Sequence, residues 1–335
     1  MHEQGREIID TLCRRQPPNR SALLAKLKFL QRQSRNNASF DGLLRACQDY
    51  FEAFGAKPFC YDDLKDAIGQ LAPDDLATFT KGAAEGDLTG WRQLFILKLT
   101  YTSLSSEPSR PSDLITFAAQ AVKHYRTSLS TAAACPEAAL LGVLALLRAS
   151  RVAKQPDISL LATILLEICR THSEDYYPFS VLLLQTQLNL GLVSLAMETF
   201  LRLSIKNMQW ETVGHLLLMR ISSLHPAQSG TGAGSFSPAG AIDAGLTMLE
   251  NADQALVRGI REGLRFGGYS NIGDNVGTRV NVGRSMNRQI YATEERKISR
   301  LLGLADDTIL PARPGEVLSA LTCSQRLTSD RSTRG

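Results

Sequence analysis

The chain has 335 residues, and 44% of them are apolar, too rich for a wholly disordered chain and ample for a buried core. Lys plus Arg is 37 against 33 for Asp plus Glu, a net +4 that is mild for a dedicated nucleic-acid binder. No run of about 18 consecutive apolar residues occurs, and Met1 to Arg15 is polar with both charge signs, so neither a membrane span nor a signal peptide is read. A cytoplasmic protein is expected.

Strand signals are nearly absent before residue 225, and helical periodicity dominates. Ser21–Arg32 places Leu23, Leu24, Leu27 and Leu30 on one stripe. Phe40–Phe54 repeats the pattern with Leu43, Leu44, Cys47, Tyr50, Phe51 and Phe54, and Gly55 follows where a helix ends. Tyr61–Leu71 opens with Asp62 and Asp63, and a second carboxylate pair is Asp74–Asp75. Both pairs suit the positive end of a helix dipole better than acid–base chemistry.

Further helices are predicted over Leu88–Leu104, Ser112–Ser128 with Ser112 as cap, and Pro136–Ser150. Others follow from Asp157 as cap through Arg170, from Pro178 to Asn189, over Leu192–Leu203 and over Glu211–Leu224. Short loops between them imply helical hairpins. Two helices are apolar over more than half their circumference. One carries Leu140, Leu141, Val143, Leu144, Leu146 and Leu147; the other carries Ile158, Leu160, Leu161, Ile164, Leu165, Leu166 and Ile168. Such breadth suits a solenoid, in which each unit has neighbours on two sides. Gly191, Ala196 and Phe200 fall at the tetratricopeptide offsets: a turn glycine, a small residue at the crossing and an aromatic filling the seam. That is a single half-match.

After His225–Pro226 the stretch AQSGTGAGSFSPAG reads as a flexible insertion. Helix resumes over Ala241–Phe266, GGYSNIGDNVG breaks it, and a second helix is predicted over Gly277–Leu302. The organisation expected is a solenoid over 1–225, an insertion over 226–240, long helices continuing the solenoid over 241–305, and a frayed tail over 306–335. The fold class is all-α, an α-α superhelix of tetratricopeptide-like hairpins.

Catalytic signatures are missing. The sequence has no phosphate loop, no H-E-x-x-H helix and no G-x-S-x-G elbow. It also lacks the R/Q-x-x-G-x-G/A loop that cradles acetyl-CoA in acetyltransferases. The six cysteines are not spaced for metal and read as reduced, buried thiols, and His215 on an apolar helix reads as a satisfied core or interface histidine. Arg284 and Arg288 are four apart, as are Arg296 and Arg300, with Lys297 alongside. They form either a solvated face or a patch for an acidic partner surface or RNA phosphate.

Three stretches together resemble one family, the auxiliary, non-catalytic subunit of the NatB N-terminal acetyltransferase. In DYFEAFGAKPFCYDDLK, the residues Tyr50, Phe51, Phe54, Gly55, Lys57, Pro58, Cys60, Asp63 and Leu64 keep the family pattern, and Phe59 stands where a second cysteine is frequent. In residues 177–217 a long helix, an L-G turn and an A-x-x-x-F helix lead to Lys206, Met208, Gln209, Glu211 and Thr212. SMNRQIYATEERKISRLL, residues 285–302, is similar to the family's charged helix. The resemblance covers about residues 40–305. It implies a scaffold wrapped around a small catalytic subunit of GNAT fold, positioned at the ribosome, with acetyl-CoA bound to that partner and no cofactor on this chain. The complex would acetylate nascent chains beginning Met-Asp, Met-Glu, Met-Asn or Met-Gln. No sequence-specific nucleic acid is implied. Family members are longer, so the resemblance also implies N-terminal repeats beyond these 335 residues. The alternatives are a generic helical-repeat adaptor and, more remotely, an enzyme with an unrecognised helical site.

Overall fold

The computed structural model describes residues 2–13, 16–36, 41–85, 90–106, 109–130, 135–206, 209–228 and 235–303. The chain divides into two compact units, Met1–Phe179 and Ser180–Gly335. Among the described residues there are sixteen α-helices and no β-strand.

The first unit contains α1 (His2–Cys13), α2 (Arg20–Asn36), α3 (Asp41–Phe54), α4 (Cys60–Ile68), α5 (Pro73–Ala84), α6 (Trp91–Ser106), α7 (Pro111–Ser128), α8 (Pro136–Ala153) and α9 (Pro156–His172). Helix α10 (Tyr177–Asn189) spans the division. Packing is between near neighbours: α1 on α2, α2 on α3, α3 on α4 and α5, α6 on α7 and α8, α8 on α9. Near-neighbour packing of successive helices is the logic of an α-α superhelix.

Two kinds of seam hold this unit. The α3–α6 region is aromatic. Phe51, Phe79 and Phe95 are buried, with ring centroids 4.8 to 6.1 Å apart, among Leu27, Leu43, Cys47, Cys60 and Leu64. Burying each large apolar side chain contributes roughly 1.5–3 kcal/mol. The α7–α8 seam is made of small residues: Ala118, Ala121, Ala138, Ala139, Ala145 and Ala149 are all buried. A Cβ on Gly142 would lie 3.1 Å from Val122 Cγ2 and 3.2 Å from the Ala118 carbonyl. The two backbones therefore approach more closely than larger side chains would allow.

The second unit continues with α11 (Val193–Arg202), a π-turn (Trp210–Gly214), α12 (His215–Leu218) and α13 (Ile221–Leu224). Then come α14 (Pro238–Phe266), a 3₁₀ turn (Tyr269–Asn271), α15 (Ile272–Gly283) and α16 (Met286–Leu301). Its core includes Leu184, Ala196, Phe200, Leu217, Ile221, Phe236, Ile242, Leu249, Tyr291 and Ile298.

Several expectations are corrected. Ser112 and Asp157 are not caps, because Pro111 and Pro156 open their helices and no side chain caps either one. Proline lacks the N–H that a cap would satisfy and pre-sets φ for the first turn. Helix α1 was not assigned from the sequence; of α5 only the start was read, and Asp74 and Asp75 do lie in its first turn. Glu211–Leu224 is not one helix but a π-turn followed by two short pieces. Gly277–Leu302 is also broken, since α15 ends at Gly283 and Ser285 caps α16, accepting from the Arg288 N–H at 3.1 Å. The break after α14 is shorter than expected, because helix resumes at Ile272. Within 226–240, Phe236 is buried and Ser237 caps α14, while 229–234 lies outside the described residues. The tail expected over 306–335 also lies outside them.

Candidate interaction surface

Gly191 joins α10 to α11 with φ +74, a left-handed conformation that favours glycine. Ala196 and Phe200 are buried below it. Thr199 donates to Gln187 Oε1 at 2.8 Å across the same hairpin, and the Phe200 ring meets Trp210 and Phe236 edge-on at 6.0 and 6.1 Å.

The predicted basic set does not form one helical face. Arg284 is exposed in the α15–α16 link, so it does not share a helix with Arg288. Arg296, Lys297 and Arg300 do share α16. Lys297 donates to Glu294 at 2.7 Å, which commits its ammonium to an intramolecular pair. Arg296 is half-buried, and its Nε is buried without a hydrogen-bond partner.

What the sequence did not reveal is a polar lattice beneath α16. Glu294 is buried and accepts from the Ser222 N–H at 3.0 Å and the Ser222 hydroxyl at 2.6 Å. Burial pushes its carboxyl up, but the Lys297 ammonium and both Ser222 donations outweigh that and hold it below the usual carboxylate range. Ser285 donates to Glu211 Oε2 at 2.7 Å, and Asn287 Nδ2 donates to the Glu211 carbonyl. The second and third stretches of the family resemblance thus meet here. The first stretch is a comparable stitch. Asp63 accepts from Arg20 at 2.8 and 2.9 Å and from the Tyr50 hydroxyl, while the Arg20 guanidinium lies 4.0 Å from the Phe59 ring centroid. Gly55 is required there because a Cβ would fall 2.6 Å from the Phe51 carbonyl.

These arrangements hold structure together; they do not converge on an open reacting centre. No group of three or more His, Cys, Asp or Glu that could hold a metal exists among the described residues. Cys47 and Cys60 are buried free thiols, pushed up to about 12 by burial, which makes them inert packing groups; Cys323 lies outside the described residues. His215 is not a satisfied histidine, for its Nδ1 is buried without a partner.

The surface that does offer something to a partner is the outer face of α9. Ala162, Thr163, Leu166 and Cys169 are buried on one side. On the opposite side Leu160 (46% exposed), Leu161 (55%), Ile164 (50%) and Ile168 (51%) form an aliphatic stripe open to solvent. Isolated exposed leucines are ordinary, but four on one helix face are a patch, and patches mark interaction sites.

The fold and this surface define an all-α protein of packed helical hairpins with an exposed aliphatic stripe. The family model described as the N-acetyltransferase B complex (NatB) non catalytic subunit matches residues 2–322, and the chain belongs to that family. The match extends the resemblance well beyond residues 40–305. The chain is therefore the complex's non-catalytic component and not its enzyme. No curated protein matches it. No helix among the described residues is long and apolar enough to cross a membrane.

Proposed function

We propose that this chain binds the catalytic acetyltransferase subunit of its complex and positions it for acetylation of nascent chains beginning Met-Asp, Met-Glu, Met-Asn or Met-Gln. The observation that carries the binding role is the aliphatic stripe on α9. Long-lived interfaces are the more apolar ones, and this stripe is apolar and unpartnered within the described chain. The catalytic partner, of GNAT fold, would hold acetyl-CoA. The substrate class and placement at the ribosome in the cytoplasm rest on the family resemblance. Arg284, Arg288, Arg296, Lys297 and Arg300 are candidate partner- or ribosome-facing cations. Gly191, Ala196 and Phe200 serve as the repeat-packing signature of one hairpin.

The test is co-expression with the family's catalytic subunit, followed by affinity purification and acetylation of peptides with the four N-termini. The expected result is a stoichiometric complex that turns over those peptides, with no activity from this chain alone. A soluble, folded chain that never retains the catalytic subunit would overturn the proposal. Retention of unrelated proteins in its place would favour a general adaptor.

A further inference from the structure

From residue 250 to residue 281 no residue is buried. This stretch comprises the second half of α14, the 3₁₀ turn and most of α15, so α14 and α15 pair as an arm that lends the core of its unit no more than the partly buried Leu256 among the described residues. The arm is nevertheless built with care. A Cβ on Gly259 would lie 3.1 Å from Asn275 Nδ2, and one on Gly263 would lie 3.0 Å from Ile272 Cγ1. Glycines four apart let the two helices close tightly, and Arg279 donates to Asp253 at 2.9 Å across them.

Opposite that glycine seam, Arg258, Arg261 and Arg265 recur at three and four residues and are all exposed. They share one face over roughly 10 Å of helix. Among residues 254–273 the only carboxylate is Glu262. At the tip, Phe266 is 76% exposed and Tyr269 is 66% exposed. Arg265 already lies over the Phe266 ring, 5.3 Å from its centroid. A rigid arm that ends in open aromatic faces beside a row of guanidinium groups has two complementary chemistries. Guanidinium forks match phosphate oxygens, and aromatic faces receive unstacked bases.

We propose that the α14–α15 arm binds RNA, with Arg258, Arg261 and Arg265 on the phosphates of a stem and Phe266 and Tyr269 against the unpaired bases of its loop. The contact is independent of sequence. The inference deepens the proposed placement at the ribosome, and its test does not depend on the catalytic subunit.

The test is fluorescence anisotropy of a labelled RNA stem-loop with the full chain, over a series of salt concentrations. Replacing the three arginines by alanine weakens binding at least tenfold. It also flattens the slope of log affinity against log salt by about 2 to 3, one phosphate contact for each cation lost. The Phe266→Ala, Tyr269→Ala pair weakens binding severalfold with the salt slope unchanged, because stacking releases no counterions. These side chains are exposed, so circular dichroism of the variants should match the parent. Wild-type affinity in the triple variant overturns the inference, as does a loss that follows Arg284→Ala, Arg288→Ala and not the arm. Binding to anionic phosphatidylserine vesicles without binding to RNA overturns it in favour of a membrane surface. If the arm variants still sediment with ribosomes as the parent chain does, the arm is excluded and the placement stands.

Discussion

Tyr291 sits where two glycines make room for it. Its hydroxyl donates to the Trp210 carbonyl at 2.6 Å, inside the π-turn. A Cβ on Gly214 would fall 2.3 Å from that hydroxyl, and one on Gly245 would fall 2.9 Å from the ring. Gly245→Ala should therefore cost about 1–3 kcal/mol, as overpacking does, and Gly214→Ala more. Tyr291→Phe alone should cost about 1 kcal/mol by stranding the Trp210 carbonyl. Combined with Gly214→Ala it should recover part of the loss, because the clashing atom is gone. Urea denaturation of the four proteins closes the cycle, and simple additivity would show that the hydroxyl is not the obstacle. Glu294 supplies a pH test. Its carboxyl is held below its unfolded value, so the stability it contributes is complete above the unfolded pKa of about 4.3 and is lost as pH falls through the lower folded value. Glu294→Gln should destabilise by about 1–3 kcal/mol at pH 7, and the gap from the parent should narrow towards pH 3. A gap constant with pH would remove the ionised carboxylate from the account.

At the scale of elements, the arm and the helix breaks behave differently from the core helices. Gly263→Val should push α15 off α14, because the nearest neighbours of the new Cβ, at 3.0 and 3.1 Å, are Ile272 and the Gly268 carbonyl. No residue from 250 to 281 is buried, so the melting temperature should move by only about 2 °C while trypsin gains access near Arg265. A large loss of global stability would mean that the arm belongs to the core. Core helices such as α2, α3 and α8 were legible because their apolar residues follow the helical period over a dozen residues or more. Helix α1 was missed because HEQGREIIDTLC is mostly polar, and α5 was legible only at its acidic start because PDDLATFTKGAA buries only Phe79 and Ala83. The break at Arg284 had a weak signal, a glycine followed by a capping serine, inside an otherwise periodic run. The lattice under α16 had none, since Ser222 and Glu294 are 72 residues apart and Glu211 and Ser285 are 74 apart. Glu211, Ser285, Asn287 and Glu294 lay within the stretches that resemble the family, Ser222 did not, and their roles as mutual partners required the fold.

At the scale of the whole molecule, the wide apolar helices read from the sequence divide into two outcomes. On the α8 helix Val143 and Leu146 are buried and Leu140, Leu141, Leu144 and Leu147 are half-buried, so none of its wide apolar set is open to solvent. The α9 helix is consumed on one side only. A subunit that keeps an aliphatic stripe in water bears a solubility cost until something covers it, and the catalytic subunit is the covering protein proposed above. This gives paired expectations of opposite sign. Leu161→Glu with Ile164→Glu should change the stability of the lone chain by no more than about 0.5 kcal/mol per site, because both side chains already face solvent. The same variant should be more soluble and less aggregated alone, yet fail to retain the catalytic subunit in co-purification. Leu166→Ala, on the buried side of the same helix, should instead cost about 2–5 kcal/mol and weaken the complex only through lost folding. Size-exclusion chromatography, thermal melts and pull-down on the two variants separate surface from core. If the double glutamate variant holds the catalytic subunit as tightly as the parent does, the stripe is not the docking face and the scaffold must grip its partner elsewhere.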